Sequence, residues 1–512
     1  MLLRRLAETS AALAATRSRL AKRDLIAALL RETPPDEVEV VVSYLGGSLR
    51  QRRTGVGWRA LQQLPPPAAA ATLTVREVDE TFAELARLSG PGSVAVRTVA
   101  VSTLFGRATA AEQSLLAGLV SGDLRQGALE SQVQDGLAAA FDVPVTAVRR
   151  AAMLTSSTTA AAVLLVNGGL PALEAVGLRV GVGVQPMLAA AAPDPAAAVA
   201  RSGLPAVVDA KLDGVRVQAH RDGSEVTVFT RSLDDITARL PDVVAVVRGL
   251  PHSSLVLDGE VLALRPDGSP EPFQVVASRT MSAADPQATS APLSVFFFDL
   301  LHVEGQDLLD APLRERLAVM DQVVPAGLRV PRRTCADVEQ VTAAFADAVA
   351  AGYEGVVVKN LQAPYAAGRR DAGLVKLKPR HTFDLAVTAA EWGHGRRKGW
   401  LSNLHLAARD PATGALVMLG KTFKGLTDDL LSWQTEQLLA REVRREGITV
   451  HVDPPLVAEI AVDGLQASTR YPGGIALRFA RVLRYRPDKQ PGEVDTLETV
   501  RALGGPLAPP ED

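Results

Sequence analysis

The chain has 512 residues, 47% hydrophobic and 22% charged, with 55 basic against 57 acidic side chains. At about 100 to 200 residues per domain this length predicts two to four domains, and the ordinary globular composition excludes wholesale disorder and a collagen-like repeat. A net charge of −2 means that any polyanion must be met by local basic patches, while a lone cysteine, Cys335, excludes an internal disulfide and a cysteine-rich zinc ribbon and fits the cytosol.

Met1 to Leu20 carries Arg4, Arg5, Glu8, Arg17 and Arg19, which interrupt any apolar signal core, so export is not expected. Up to about Val180 apolar residues recur at helical spacing, as in Asp79 to Leu88, and predict an all-helical domain broken at Pro34-Pro35 and Pro65-Pro66-Pro67. The most apolar stretch, Ala151 to Leu165, includes Thr155, Ser156, Ser157, Thr158 and Thr159 and falls short of the roughly 20 residues a bilayer needs, so it reads as one buried helix. A short echo, Gly47 to Gln51 and Gly122 to Gln126, predicts two glycine-opened helix starts carrying arginine. That arrangement suits phosphate contact and is equally the pattern of ordinary caps. Pro193 to Pro205 reads as an interdomain connector.

From Ala206 the texture changes to short strands and turns. Val215 to His220 and Glu225 to Thr230 alternate around an Asp-Gly turn and predict a hairpin. Beyond Pro379, Leu385 to Ala389, Leu404 to Ala408, Leu416 to Leu419, Val457 to Val462 and Ile475 to Phe479 predict five strands around one helix, Asp428 to Arg445, a set that suits a small barrel such as an OB-fold. At the end, Arg478, Arg481, Arg484, Arg486 and Lys489 face a single acidic residue, Asp488.

Only nine of the basic residues are lysine, and eight of them follow position 210. Lysine has an amine that can be deprotonated into a nucleophile, which arginine lacks. Lys211-Leu212-Asp213-Gly214 sits at a strand end, and period two puts Arg216, Gln218 and His220 on one face of the next strand. Leu257-Asp258-Gly259-Glu260 ends an apolar strand in carboxylates, and Glu354 to Lys359 (EGVVVK) sets a carboxylate before a buried strand and an amine after it. Lys376 and Lys378 are expected on one strand face, opposite Val375 and Leu377, where two ammonium groups repel unless an anion such as phosphate lies between them. Each motif alone is also the pattern of a solvated sheet edge; in this order the set is highly specific.

These motifs resemble those of the covalent nucleotidyltransferases, and specifically of ATP-dependent DNA ligases of the three-domain type, most like the actinobacterial ligase B group. The likeness spans nearly the whole chain. Gly122 to Gly127 resembles a segment of the family's helical DNA-binding domain, Pro186-Met187-Leu188 the start of its adenylation domain, and Arg478-Phe479-Ala480-Arg481 its last motif, followed by Asp488-Lys489-Gln490-Pro491. The resemblance implies a multidomain fold: an all-α DNA-binding domain over residues 1–185, an α+β adenylation domain over 186–380 and an all-β OB-fold domain over 381–512.

It also implies an enzyme, EC class 6.5.1, that uses ATP and Mg²⁺ to seal nicks in duplex DNA, is monomeric and closes around DNA without a membrane, in the cytoplasm at the nucleoid. Lys211 resembles the amine that attacks the ATP α-phosphate, and neighbouring cations favour its neutral form. Phe298, in the run Phe296-Phe297-Phe298, is similar to the aromatic that stacks on adenine, although three consecutive Phe are equally a core pattern. Arg216 and Glu260 resemble ribose contacts, Arg231 a contact to the sugar and nick phosphate, and Glu260 and Glu354 carboxylates near Mg²⁺. Lys359, Lys376 and Lys378 resemble a phosphate clamp, and Arg478 and Arg481 the pair that swings over ATP. Where the family usually has Glu reaching the adenine amine, this chain has Asp209, one methylene shorter. An RNA ligase or mRNA capping enzyme would share K-x-D-G without needing the long helical region, and a non-catalytic nucleic-acid-binding protein would not explain the lysine and carboxylate set.

Overall fold

The computed structural model describes residues 1–504 except 52, 125, 127–129, 267, 269, 272, 282–292 and 367–369. By packing the chain forms two units, Met1–Leu377 and Lys378–Asp512.

The first unit opens with nine α-helices among the described residues, from Leu3–Ala15 to Thr158–Glu174. Their starts follow local chemistry: the Thr74 and Thr109 hydroxyls accept the backbone N–H three residues on, while Glu77 and Glu112 reach back, closing two capping boxes. Each cap contributes about 1 kcal/mol. The apolar faces, including Leu6, Ile26, Phe82, Phe105 and Leu137, fill one core.

Three expectations are corrected in this region. Ala151 to Leu165 is not one helix. Val145–Leu154 ends and Thr158–Glu174 starts afresh because Ser157 accepts the Ala160 N–H at 3.1 Å, so a local cap overrides the apolar run. The echoed glycines close helices and do not open them: Gly122 caps the end of Ala110–Ser121, and Gly47 follows Val38–Leu45. The side chains after them staple helices together. Gln126 is buried between Ser10 and the Leu45 carbonyl, and Arg50 and Gln51 both bind Asp79; Arg125 and Gly127 lie outside the described residues. Finally, Pro193 to Pro205 is no connector, because Asp194 caps the helix Pro195–Ser202 and Pro195 fills its first turn, where a missing N–H costs nothing.

Among the described residues ten strands follow: β1 (Leu188–Ala192), β2 (Ala206–Lys211), β3 (Val215–Asp222), β4 (Glu225–Thr230), β5 (Ser254–Ala263), β6 (Leu293–Val303), β7 (Gln306–Asp307), β8 (Arg332–Cys335), β9 (Gly355–Asn360) and β10 (Arg370–Leu377). They make two sheets, ordered β4-β3-β5-β6-β7 and β1-β10-β9-β2-β8. The predicted hairpin is β3 with β4, turning at Gly223. Each sheet buries one face under helices. Val217, Leu257 and Phe297 pack against Pro241–Arg248 and Leu313–Val323; Val208, Val356, Val358 and Val375 pack against Pro195–Ser202 and Val338–Ala350. Period two then leaves the polar residues on the other faces. A further cluster, including Met153, Leu154, Val184, Met187 and Val256, joins the helical region to the α/β region.

The second unit is β-rich: β11 (His381–Trp392), β12 (Leu401–Arg409), β13 (Leu416–Thr422), β14 (Glu442–Glu446), β15 (Thr449–Val462), β16 (Gly464–Ala467), β17 (Ile475–Arg478) and β18 (Arg481–Tyr485). The sheet runs β13-β12-β11-β15-β14, β18 joins β15, and β16 pairs with β17. Among the described residues eight strands stand where five are expected from the sequence. The helix ends at Leu439 and not at Arg445, because the chain turns at Gly447 and β14 pairs with β15 as a charged edge strand, which resembles a solvated helix face in sequence. Among the described residues no helix is long and apolar enough to cross a membrane.

Candidate active site

Lys211 closes β2, and its Nζ lies 2.5 Å from Oε2 of Glu354, the residue just before β9. Three residues on, a Cβ at Gly214 would stand 2.2 Å from the Val261 carbonyl, so only glycine lets β3 start against β5. The Gly214 N–H donates to Glu260 on β5 at 3.2 Å. Burial pushes the Glu260 carboxyl above its ordinary range against the pull of Lys211 and this N–H. Two carboxylates thus border one amine. Among the described residues no group of three or more His, Cys, Asp or Glu gathers for a metal ion.

Asp209 precedes Lys211 by one strand period and faces the same way. Its Oδ2 lies 2.5 Å from Lys359 Nζ, and both side chains are buried. Burial raises the Asp209 carboxyl, with Lys359 opposing, and Oδ1 is buried with no hydrogen-bond partner among the described residues. Lys359 also donates to the Phe298 carbonyl at 3.1 Å and stands 4.8 Å from the Phe298 ring centre. Lys359 is therefore tied to Asp209 and Phe298. The Phe run divides by strand alternation: Phe297 is core, whereas Phe298 joins the Leu212 cluster, with the Arg216 guanidinium 5.3 Å from its ring centre.

Arg216, Gln218 and His220 share one face of β3, and a buried network occupies it. Arg216 donates to Asp258 Oδ2 at 2.8 Å and to the Met187 carbonyl at 2.6 Å. Tyr365 donates to the same Oδ2 at 2.6 Å and accepts the Met187 N–H at 3.3 Å. Gln218 donates to Asp258 Oδ1 at 3.0 Å and bonds both the N–H and the carbonyl of Val184. His220 Nδ1 accepts the Gly181 N–H at 3.0 Å, which leaves Nε2 to donate to Gln218. Burial pushes His220 down to about 4, so it is neutral at pH 7, and burial and Asp258 hold the Tyr365 phenol well above its usual value.

Lys376 lies on the site side of its sheet, in a cross-strand row with Asp209 and Val357, opposite the buried Val375 and Leu377. Lys378 is corrected. Strand β10 ends at Leu377, before a proline that cannot donate to a ladder, and Lys378 belongs to the second unit, with its Nζ 3.7 Å from Asp463. The two lysines therefore do not share a strand face. Arg231 is exposed in the turn after β4. Arg478 ends β17 and its carbonyl accepts the Asp463 N–H at 3.0 Å, while Arg481 opens β18 and is exposed. The last cations do not face Asp488 alone: Arg484 pairs with Glu459 at 2.6 Å, and Arg486 and Lys489 meet at Asp384. Partners on β15 and β11, more than 20 residues away, supply those carboxylates.

Comparison with known proteins bears on what this arrangement does. Residues 59–138 match the family described as DNA ligase N terminus, 186–378 the ATP dependent DNA ligase domain, and 397–489 the ATP dependent DNA ligase C terminal region. A "Probable DNA ligase" of Nocardioides sp. is 58% identical over 503 residues, covering 97% of this chain and 98% of the relative. The chain belongs to the ATP-dependent DNA ligases. A "Probable DNA ligase" of Mycobacterium marinum is 54% identical, covering 98% of this chain and all of the relative. The solved structure named Pmar-Lig_PreS3 shares the fold at a TM-score of 0.62 and 19% identity, covering 94% of this chain and 99% of its own. The ligase is thus an enzyme that joins DNA using ATP.

Tyr365 and the joint role of Asp258, Gln218 and His220 escaped sequence reading. Apart from the His220–Gln218 contact within β3, their partners lie 34 to 178 residues away. One signal was available, since Tyr365 is one of only five tyrosines in the ligase and stands in an Ala-, Pro- and Gly-rich loop.

Proposed function

We propose that the ligase seals nicks between a 3′-hydroxyl and a 5′-phosphate in duplex DNA through a covalent lysyl-AMP on Lys211. The observation that carries this reading is Lys211 at the end of β2 between Glu354, at 2.5 Å, and Glu260. The Lys211 amine attacks the ATP α-phosphorus, a P–N bond forms, and pyrophosphate leaves. The nick's 5′-phosphate oxygen then displaces the amine from AMP, and the 3′-hydroxyl displaces AMP and closes the strand. Positioning of the reacting atoms and neutralisation of charge supply most of the acceleration in such transfers.

Asp209 Oδ1, buried and without a partner among the described residues, accepts the adenine amine, and Phe298 stacks on the base. Arg216 keeps a buried Nε without a partner among the described residues beside that ring and contacts the ribose. Lys376, with Lys378 and Lys359, neutralises phosphate, and Arg231 meets the sugar and nick phosphate. Arg478 and Arg481 stabilise the departing pyrophosphate.

Mg²⁺ fits the residues present, since it takes one or two carboxylates and completes its shell with water and substrate phosphate oxygens. Glu260 and Glu354 would hold it; bound there, it withdraws charge from the phosphate. Glu354 would then be shared between that site and the Lys211 amine, which it orients.

In this reading residues 1–185 grip the duplex, 186–380 form the adenylation domain, and 381–512 form a barrel of OB type. The chain acts as a monomer around DNA, in the cytoplasm at the nucleoid. The test is sealing of a duplex with a single 5′-phosphorylated nick. Joining that needs both ATP and Mg²⁺ is expected; joining without either cofactor, or none with both, contradicts the proposal.

A further inference from the structure

A buried carboxylate is stable only when its oxygens are satisfied, and Asp258, 1% exposed, takes donors from Arg216, Tyr365 and Gln218. This network does not close on itself. It runs from Arg216, whose guanidinium stands over the Phe298 ring, to the backbone of the segment Gly181–Met187, which follows the last helix of the helical region. Met187 is held from both sides of the network: its carbonyl accepts Arg216 and its N–H donates to Tyr365. Val184 is held the same way by the two ends of one amide, Gln218. A purely apolar core would have sufficed to pack β3 against that segment; the polar groups instead fix one orientation of Arg216 relative to the tether.

We infer that Tyr365 and Gln218 are positioning residues for Arg216: through Asp258 they tie the tether that leaves the helical region to the guanidinium on the nucleotide side of β3. The inference rests on the reading of Arg216 as a ribose contact. A guanidinium held at two points is pre-organised and loses little freedom when ATP binds. Releasing one point loosens ATP binding without touching the reacting atoms.

The test uses the full chain and the rate of lysyl-AMP formation as a function of ATP concentration, with Mg²⁺ saturating. Tyr365→Phe keeps the ring against Arg316 and removes only the hydroxyl. It is expected to raise the ATP KM about fivefold or more, as for loss of a hydrogen bond to a charged group, with little change in kcat. Gln218→Met, which approaches Asp258 from its other oxygen, is expected to do the same and stands as the second variant should one fold poorly. Because both act through Arg216, Tyr365→Phe added to Arg216→Ala is expected to raise KM no further than Arg216→Ala alone. Additive effects on KM, or a fall in kcat with KM unchanged, would overturn the inference while leaving the ribose contact intact. An unchanged KM in Arg216→Ala would remove the ribose contact itself, and the inference with it.

Discussion

Lys211 Nζ stands 2.5 Å from Glu354 Oε2, so the residue proposed as the nucleophile is held in an ion pair. In the proposed reading the Lys211 amine attacks the α-phosphorus only after giving up its proton, and Glu354 is the carboxylate that stands beside it. The expectation from the sequence is that Lys376, Lys378 and Mg²⁺ together favour the neutral amine. Lys359 is tied to Asp209, and Lys378 pairs with Asp463. In the proposed reading the state of Lys211 depends on what else Glu354 binds.

Glu354→Gln is expected to slow lysyl-AMP formation about a hundredfold or more, the scale of a lost metal or acid-base contact, and to move the Mg²⁺ titration of the rate to higher concentration. An unchanged Mg²⁺ dependence would remove Glu354 from the metal.

Arg478→Ala combined with Arg481→Ala should strongly slow lysyl-AMP formation while sealing a nick that already carries 5′-AMP near the wild-type rate. Stabilising pyrophosphate matters only in the first step. Equal losses in both assays would assign the pair to DNA contact or folding.

The candidate site was legible as short motifs, each local in sequence although the motifs lie far apart along the chain. Lys211 ends β2 and Gly214 and Glu354 stand just before β3 and β9, whereas Glu260 lies inside β5, which does not end in carboxylates but runs on to Ala263; the register of β2, β3, β5 and β9 brings the four together. Phe298 was ambiguous until strand alternation separated it from Phe297. What stayed hidden depends on distant pairing. Tyr365 meets Asp258 across 107 residues, and Gln126 meets Ser10 across 116. In the fold, Ser157 carried a capping signal that the apolar count of Ala151 to Leu165 outweighed, and β14 was mistaken for helix because its charged edge lacks an alternating apolar face.

In the second unit Glu391 binds Lys421, His405 and Asn403. Burial alone would raise its carboxyl, but these bonds hold it down at about 2, against 4.5 for a free glutamate. A depressed carboxylate stabilises the fold above its unfolded pKa and loses that contribution as pH falls through the folded one. Glu391→Gln should therefore cost about 1–2 kcal/mol at pH 7 after allowance for solvent screening. The difference from wild type should shrink between pH 4.5 and about 2. Urea unfolding followed by tryptophan fluorescence checks this, because Trp392, Trp400 and Trp433 all lie in that unit. A difference independent of pH would contradict it.

A chain beginning at Ala175 should keep self-adenylation and bind nicks more weakly, with a shallower salt dependence as phosphate contacts are lost. A chain beginning at Leu188 should lose self-adenylation, since Gln218, Tyr365 and Arg216 would be left without Val184 and Met187. Unimpaired sealing by the first at physiological salt, or adenylation by the second, would contradict these roles.

The most direct measurement is the covalent adduct itself: the full chain incubated with α-labelled ATP and Mg²⁺, denatured, and mapped by peptide mass. The account predicts one AMP per chain on Lys211 and none in Lys211→Arg, whose guanidinium stays protonated where an amine can lose its proton. Label at wild-type level in Lys211→Arg, or on any other residue, would contradict it.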